Sequence, residues 1–331
     1  MQYRPLGASG IRVSVLGFGA WQIGDPRYWG NDAETDAQAA VDAALDAGIN
    51  FFDTAEVYGD GASEEALGKA LGARRAKVVI ASKVLPEHCA PDKLTAACEA
   101  SLRRLGTDYI DLYQVHWPFR DPSFEEAYGV LDGLRHEGKI RAIGVSNFGR
   151  QDLTDWLATG DAASNQVGYN LVFRAVEYDI APLCRRNNVA LIAYMPLMQG
   201  LLSGRWERVE DIPLARRRTR HFSSKREGTR HGERGCERLL METLSELHGF
   251  ADAIGLPLAT VALCWLLAQP GVTSAIIGTR KPWQVVRNIQ AAELDIGPAA
   301  IAQINEITAP LKRALGSNAD MWESEENTRI R

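Results

Sequence analysis

Short apolar runs and amphipathic stretches alternate along most of the chain. The apolar runs lack regular polar alternation, as expected for strands that are buried on both faces. The stretches between them repeat apolar residues at helical spacing, for example Ala37, Ala40, Val41 and Ala44, with Gly48 as a C-terminal stop. This pattern predicts eight strands, at residues 16–20, 49–53, 77–83, 109–115, 140–145, 165–167, 189–194 and 273–277.

Eight successive strand-then-helix units predict parallel strands covered by helices, and therefore a single (β/α)8 barrel. Residues 2–15 add an N-terminal β-hairpin with its turn at 7–10, and residues 295–309 add an amphipathic helix. A long basic loop, 205–235, follows the seventh strand. We expect one domain over residues 1–331, with a polar tail from about residue 310 that either folds over a barrel mouth or is loose.

The composition is that of an ordinary globular protein, with 46% hydrophobic and 24% charged residues among 331. A net charge of −5 argues against general affinity for nucleic acid. The longest nearly apolar run, 256–268, is too short to span a bilayer, so no membrane segment is expected. Five scattered cysteines without a C-x-x-C pair favour a reducing compartment, and we expect a cytoplasmic protein. Nothing in the pattern indicates or excludes a homo-oligomer.

Four side chains capable of acid–base chemistry follow consecutive predicted strands. Asp53 ends the second strand, Tyr58 lies in the loop after it, Lys83 ends the third strand and His116 follows the fourth. Strand ends of a (β/α)8 barrel share one mouth, where active sites lie. Each residue alone also fits a plainer role, such as a helix entry, a surface lysine or a loop histidine. Their placement on consecutive strands favours one catalytic site.

The residue types in this cluster suggest proton transfer to a carbonyl oxygen. An ammonium beside a phenol lowers the phenol pKa, so Lys83 is expected to make Tyr58 a better acid, with Asp53 holding the ammonium in place. His116 could polarise a carbonyl or relay a proton. None of these groups is a reductant, so a reduction would need hydride from a cofactor.

Two other kinds of site are disfavoured by local sequence. A doubly wound dinucleotide fold needs G-x-G-x-x-G between a strand and a helix, whereas residues 17–22 lack the third glycine and precede a stretch that we expect to be a polar loop. A zinc site is not expected either, because the spacing of His221, His231, Cys236 and His248 matches no zinc pattern.

Several segments resemble the aldo-keto reductase superfamily, in its bacterial branch related to the voltage-gated potassium channel beta subunits. They are Asp53-Thr-Ala-x-x-Tyr58-Gly, Ser82-Lys83, Tyr113-Gln-Val-His116-Trp117-Pro and Gly144-Val-Ser-Asn-Phe148. The resemblance extends from the N-terminal hairpin to about Ala292. It implies a (β/α)8 oxidoreductase that reduces an aldehyde or ketone with NADPH, or oxidises the alcohol in reverse. In that family Tyr58 would be the general acid, tuned by Lys83 and Asp53, and His116 would orient the carbonyl.

The same resemblance implies an NADP site across the barrel mouth. Ser146, Asn147 and Gln166 would hold the nicotinamide carboxamide, Tyr194 would stack on the ring, and Asp53 would touch the ribose. The remaining implied contacts are Gly19 and Trp21, the pyrophosphate loop residues Pro196, Leu197, Gln199, Gly200, Leu202, Gly204 and Arg205, and the adenosine-side residues Ile277, Gly278, Thr279, Arg280, Gln284 and Asn288.

The adenosine-side motif favours NADP over NAD. Thr279, Arg280 and Gln284 would face the 2′-phosphate, and the adjacent cations Arg280 and Lys281 suit a phosphate. Arg287 stands where family members often have glutamate, so the adenine contacts differ in part from the family pattern.

The substrate is expected to be a small carbonyl compound or alcohol that binds beside Trp21, Tyr58, His116 and Trp117. Sugars, steroids, aromatic aldehydes and other ketones all remain open, as does a contribution from Trp322 in the tail. Three interpretations of the basic loop 205–235 compete: a lid over the cofactor phosphates, a solvated charge run, or a docking site for an anionic partner.

Two other functions compete with a carbonyl reductase. One is a cofactor-binding, redox-sensing regulatory subunit with little turnover. The other is a barrel lyase or isomerase without nicotinamide, which would leave Gln166, Tyr194 and the motif at 276–288 unexplained.

Overall fold

A computed structural model describes residues 1–25, 36–279 and 281–331. Strands β1 (Tyr3–Pro5) and β2 (Arg12–Ser14) form the N-terminal hairpin. The other strands form a closed parallel barrel in the order β10-β3-β4-β5-β6-β7-β8-β9. They are β3 (Leu16–Gly19), β4 (Phe51–Asp53), β5 (Val79–Val84), β6 (Ile110–Val115), β7 (Ile140–Ser146), β8 (Ser164–Gly168), β9 (Ala190–Tyr194) and β10 (Val272–Gly278). The predicted (β/α)8 barrel is confirmed, and each strand boundary lies within two residues of its expected place.

Helices surround the barrel in the described part of the chain. They are α1 (Trp21–Gly24), α2 (Ala37–Asp46), α3 (Ala62–Leu71), α4 (Pro91–Leu105), α5 (Phe124–His136), α6 (Arg150–Thr159), α7 (Ile180–Arg186), α8 (Glu237–Ala253), α9 (Leu258–Leu267), α10 (Pro282–Ile289) and α11 (Gly297–Leu315). Local signals set their ends: Ser123 and Glu126 form a capping box before α5, and Gly106 ends α4 in a left-handed conformation. The short α1 overlaps the start of the polar loop expected after residue 22, and residues 26–35 of that expected loop lie outside the described residues.

The barrel closes because the last strand pairs in parallel with the first, with Ala275 opposite Leu16 and Gly278 opposite Gly19. Inward-facing residues of the strands, such as Phe51, Ala81, Leu112 and Ile192, form a small core inside the barrel, and a larger core lies between strands and helices. The eight parallel strands of the barrel, β3 to β10, therefore have their carboxyl ends at one mouth.

The C-terminal tail, residues 316–331, lies over this mouth. Helix α11 continues to Leu315, past the point near residue 310 where the tail is expected to begin. Met321 is fully buried, and a β-carbon on Gly168 would lie only 2.4 Å from its Cε atom, so the tail packs directly on the end of β8. Buried Asp320 accepts hydrogen bonds from Arg329 Nε at 2.8 Å and Nη2 at 2.9 Å.

The basic loop 205–235 is joined to this tail. Arg220 is 5% exposed; its guanidinium donates to the main-chain oxygens of Leu315 and Asn318, at 2.7 and 3.0 Å, and its backbone N–H donates to Met321 O. The same guanidinium pairs with Glu233 at 2.7 Å. Arg230 forms a second link, an ion pair of 3.0 Å with Glu323. Loop and tail thus form one layer over the mouth.

Across the described ranges, no single helix is long and apolar enough to cross a membrane, and α8 with α9 meets that test only as a pair bent by 95°.

Candidate active site

Three of the four predicted catalytic side chains meet in a buried hydrogen-bonded cluster. Asp53 is the last residue of β4, and Lys83 lies one residue before the end of β5. Lys83 Nζ donates to Asp53 Oδ1 at 2.7 Å, to Thr54 O at 2.9 Å and to the Tyr58 hydroxyl at 3.4 Å. Because Lys83 is fully buried, these three acceptors account for its three ammonium hydrogens.

His116 completes the predicted group from the end of β6. Its ring lies edge-on to Tyr58 with 5.8 Å between centroids. Trp21, which follows β3 at the same mouth, stacks on Tyr58 with 5.5 Å between centroids. Asn147 Nδ2 donates to the main-chain oxygen of His116 at 3.0 Å. Within the described residues, His116 Nδ1 is buried without a hydrogen-bond partner. His116 as a residue is 9% exposed, so its ring is within reach of a ligand at the mouth.

The phenol of Tyr58 is a weaker acid than the sequence alone suggests. Burial raises its pKa above the ordinary value, and the nearby Lys83 ammonium opposes that rise without cancelling it. For Lys83, burial lowers the pKa, but Asp53 and Tyr58 overcome this effect, and the net pKa is raised. As expected, the Lys83 ammonium by itself lowers the Tyr58 pKa. The expectation of a net decrease is wrong, because burial raises this pKa by more.

His116 is neutral in this site. Burial lowers its pKa well below the ordinary value, and the positive charges of Lys83 and Arg329 act in the same direction. The Arg329 guanidinium lies 3.6 Å from the centre of the Trp117 ring, next to His116. A neutral imidazole can donate one hydrogen bond and accept another.

Polar side chains from β7, β8 and β9 form a second cluster beside the first. Ser146 Oγ donates to Gln166 O at 2.9 Å, and the Tyr194 hydroxyl donates to Asn147 Oδ1 at 2.8 Å. Asn147 adopts φ +62°, a left-handed conformation that asparagine tolerates better than most residues. Gln166 Nε2 donates to Asp53 Oδ2 at 2.7 Å, which joins the two clusters.

A cavity of about 580 Å³ opens above both clusters. Most of the residues expected to contact a cofactor or substrate line it. They are Gly19, Trp21, Asp53, Tyr58, His116, Trp117, Ser146, Asn147, Gln166, Tyr194, Pro196, Leu197, Gln199, Gly200, Arg205, Ile277, Gly278, Gln284 and Asn288.

Four of the expected cofactor contacts are not placed in this wall. Leu202 is fully buried in the core, Gly204 faces the ring of His248, and Thr279 lies under the wall against β3 and α10. Arg280 lies outside the described residues. The Thr279 Oγ1 atom is buried and has no hydrogen-bond partner within residues 1–25, 36–279 and 281–331.

The cavity also has lining residues that the sequence does not identify as part of the site. They are Gln22, Met195, Ser203, Arg216, Arg218, Gly228, Arg230, Ile276, Arg287 and Trp322. The sequence shows that the loop is basic, but it does not show which of its arginines face the cavity. Trp322 is only a candidate for the substrate site at that stage. In the structure Trp322 lies nearly parallel to Tyr194 at 6.4 Å and meets Trp117 at 6.1 Å.

The donor groups of the cavity suit a dinucleotide. Uncharged amides and hydroxyls lie beside Tyr58 and His116, whereas arginines line the part formed by the basic loop and α10. Where the chain is described, neither Arg205 nor Arg287 has a carboxylate partner. Both guanidinium groups can therefore donate hydrogen bonds to phosphate oxygens. No group of three or more potential metal ligands occurs in those ranges.

Comparison with known proteins agrees with this arrangement. The model of the Aldo/keto reductase family matches residues 15–309. Aldo-keto reductase YhdN from Bacillus subtilis is 35% identical over 296 residues, which cover 86% of this chain and 87% of that protein. A protein named NADH-specific methylglyoxal reductase, from Escherichia coli, is 31% identical over 338 residues, covering 95% of this chain and all of the relative (100%).

A solved structure shows the same fold with a nucleotide. The aldo/keto reductase from Klebsiella pneumoniae in complex with NADP and acetate superposes with a TM-score of 0.74 at 31% identity, covering 93% of this chain and 96% of that one. Since the family model spans the whole barrel and the relatives are matched over nearly their full length, this chain belongs to the aldo/keto reductase family.

Proposed function

We propose that the protein reduces an aldehyde or ketone to the alcohol with NADPH, and catalyses the reverse reaction when alcohol and NADP are supplied. The observation that carries this proposal is the contact of Lys83 with both Asp53 and Tyr58, beneath a cavity that His116 also lines. This arrangement holds a phenolic proton where a carbonyl oxygen can reach it.

Tyr58 is proposed as the proton donor. The raised pKa of its phenol keeps it protonated at neutral pH, which is the form that a reduction requires. When bound, the reduced nicotinamide supplies hydride to the carbonyl carbon, while the phenol gives its proton to the oxygen, so that the carbonyl becomes an alcohol. The Lys83 ammonium then stabilises the phenolate, and Asp53 keeps that ammonium in place.

His116 is proposed to orient the carbonyl. Because its low pKa keeps the imidazole neutral, His116 can donate a hydrogen bond to the carbonyl oxygen without competing as an acid. It lies edge-on to Tyr58 and lines the same cavity, which supports a role for both groups at one carbonyl oxygen.

We propose that the nicotinamide end of the cofactor binds in the uncharged part of the cavity, and the phosphates and adenosine in the part lined by arginines. Ser146, Asn147 and Gln166 would bind the carboxamide, and Tyr194 would cover the nicotinamide face. The segment 196–205 and the arginines Arg205, Arg216 and Arg218 would take the pyrophosphate. The segment 277–288, including Gly278, Gln284 and Asn288, would take the adenosine, with Arg280 and Arg287 near the 2′-phosphate.

The proposed preference for NADPH depends on the positive charges of Arg280 and Arg287 near the 2′-phosphate. The relatives differ in the cofactor that their names give. One solved relative contains NADP, whereas one curated relative is named as NADH-specific. The substrate side is bounded by Trp21, Trp117 and Trp322. Flat carbonyl compounds suit such aromatic walls.

A panel of carbonyl compounds, assayed by the absorbance of NADPH and NADH in parallel, tests the proposal. We expect turnover with NADPH that Tyr58→Phe nearly abolishes, while NADPH binding measured by fluorescence stays close to that of the wild type. Normal turnover in Tyr58→Phe would reject the proton-donor role. NADPH binding without turnover of any substrate would instead favour the regulatory alternative.

A further inference from the structure

Gln166 reaches across the barrel mouth to Asp53. Going round the closed barrel, β4 and β8 are four strands apart in either direction, so Asp53 and Gln166 start from opposite walls. Their side chains nevertheless meet, with Gln166 Nε2 donating to Asp53 Oδ2 at 2.7 Å. Both residues are almost completely buried, at 2% and 3% exposure, and both line the cavity.

This hydrogen bond fixes the orientation of Asp53. One carboxylate oxygen accepts from Lys83 and the other from Gln166, both at 2.7 Å. A buried carboxylate needs such donors, and charge-assisted bonds of this kind are strong and directional. Since Lys83 also contacts Tyr58, the position of the ammonium beside the phenol depends on a carboxylate that Gln166 holds from the far wall.

The same bond fixes the orientation of the Gln166 amide. A carboxylate only accepts hydrogen bonds, so the amide nitrogen must face Asp53 and the amide oxygen must face elsewhere. Gln166 lies in the wall beside Ser146 and Asn147, where the proposed function seats the nicotinamide carboxamide. An amide oxygen at this place suits the N–H donors of a carboxamide.

We propose that Gln166 is a positioning residue for proton transfer: through Asp53 it holds Lys83 against Tyr58, and it thereby connects the carboxamide seat to the proton donor. The inference rests on the proposed function and adds a role for Gln166 besides cofactor binding. The titratable groups that face this connection are Asp53, Lys83, Tyr58, His116 and Tyr194.

Two substitutions of Gln166 separate positioning from cofactor binding. Gln166→Leu removes the donor at every pH. Gln166→Glu places two carboxyl groups about 2.7 Å apart, by the present spacing, where they share a proton at low pH and cannot both be ionised without repulsion. The shared proton restores a bridging hydrogen, so this variant keeps a link to Asp53 only while the proton remains.

The experiment measures kcat against pH at saturating NADPH and saturating substrate, with the primary isotope effect of deuterated NADPH to report on hydride transfer. We expect Gln166→Leu to lose ~10–100-fold in kcat across the whole pH range, by analogy with the loss of hydrogen-bond partners that orient the ligands of metal sites. Gln166→Glu should approach the wild-type kcat at low pH and lose activity as pH rises, with a growing isotope effect.

Ser164→Ala is the matched control. Ser164 lies two residues before Gln166 on β8, its hydroxyl donates to Gln114 Oε1 at 3.4 Å, and neither residue lines the cavity, so this variant should keep the wild-type kcat profile. Circular dichroism melting and NADPH fluorescence establish that each variant is folded and saturated.

Two results would overturn the inference. One is a wild-type kcat profile in both Gln166 variants, with only the KM for NADPH raised, which is what cofactor binding alone predicts. The other is an equal loss in both variants at every pH, since a proton-restored link would then have no effect. If Tyr58→Phe retained turnover, the proposed function itself would fail, and this outcome is independent of the Gln166 profiles.

Discussion

Asp320→Ala should release the C-terminal tail from the barrel mouth without unfolding the barrel. Asp320 is fully buried and accepts two hydrogen bonds from the Arg329 guanidinium and one from the Arg329 backbone N–H at 3.5 Å. It also accepts the backbone N–H of Trp322 at 3.1 Å. Removing one partner of a buried ion pair costs ~3–5 kcal/mol. Because the Arg329 side chain is 34% exposed, water compensates part of its lost partner, and we expect about 2 kcal/mol in tail docking.

A loss of that size corresponds to a factor of ~30 in the docking equilibrium. Hydrogen exchange measured by mass spectrometry resolves the tail from the barrel. We expect backbone amides of residues 316–331 to exchange ~30-fold faster in Asp320→Ala, while those of the barrel strands keep their protection. Glu326→Ala is the control, because Glu326 is an exposed residue of the same tail whose carboxylate has no hydrogen bond or ion pair to residues 1–25, 36–279 or 281–331.

The reasoning would be refuted by wild-type exchange in the tail of Asp320→Ala, which would mean that Met321 and Trp322 dock without this carboxylate. It would equally be refuted if the barrel strands lost as much protection as the tail. In that case Asp320 would contribute to global stability rather than to covering the mouth.

Three further outcomes follow from the site. Because burial keeps the pKa of His116 far below the ordinary value, the imidazole stays neutral as pH falls through 6.5, so kcat/KM for reduction should show no fall centred there; such a fall, lost in His116→Asn, would contradict the neutral role. Trp322→Ala should raise the KM for an aromatic aldehyde by ~10-fold and leave that for a three-carbon aldehyde nearly unchanged, since a lost aromatic contact costs about 1 kcal/mol or more; equal changes would place Trp322 outside the substrate wall. Arg287→Ala should lower kcat/KM for NADPH by ~10-fold more than for NADH, as expected for one charged phosphate contact, and equal losses would remove Arg287 from the 2′-phosphate site.

The barrel and its cluster of catalytic type were predictable from the sequence because both depend on regular signals. Apolar runs bounded by glycine stops mark strands and helix ends, as Gly106 shows by its left-handed conformation after α4. Parallel strands bring their carboxyl ends to one mouth. The fold alone therefore implies that Asp53, Lys83 and His116 lie close together.

The remaining features depend on properties that a linear pattern does not contain. The net pKa shift of Tyr58 depends on how deeply the phenol is buried, which outweighs the ammonium beside it. The exclusion of Leu202 and Gly204 from the cavity wall follows from local backbone turns, including φ +52° at Gln199 and φ +94° at Gly200. Residue spacing alone cannot assign the face of an irregular loop.

The basic loop and the tail form one hydrogen-bonded layer over the mouth, so a change in one segment is expected to affect the other. Arg216 and Arg218 belong to the loop and line the cavity where phosphates are proposed to bind. Trp322 belongs to the tail and lines the cavity where the substrate is proposed to bind. Arg220 joins these two segments through three hydrogen bonds to the main chain of residues 315–321. The basic loop therefore cannot move far without the tail. If cofactor and substrate bind as proposed, changes in either segment should affect the binding of both.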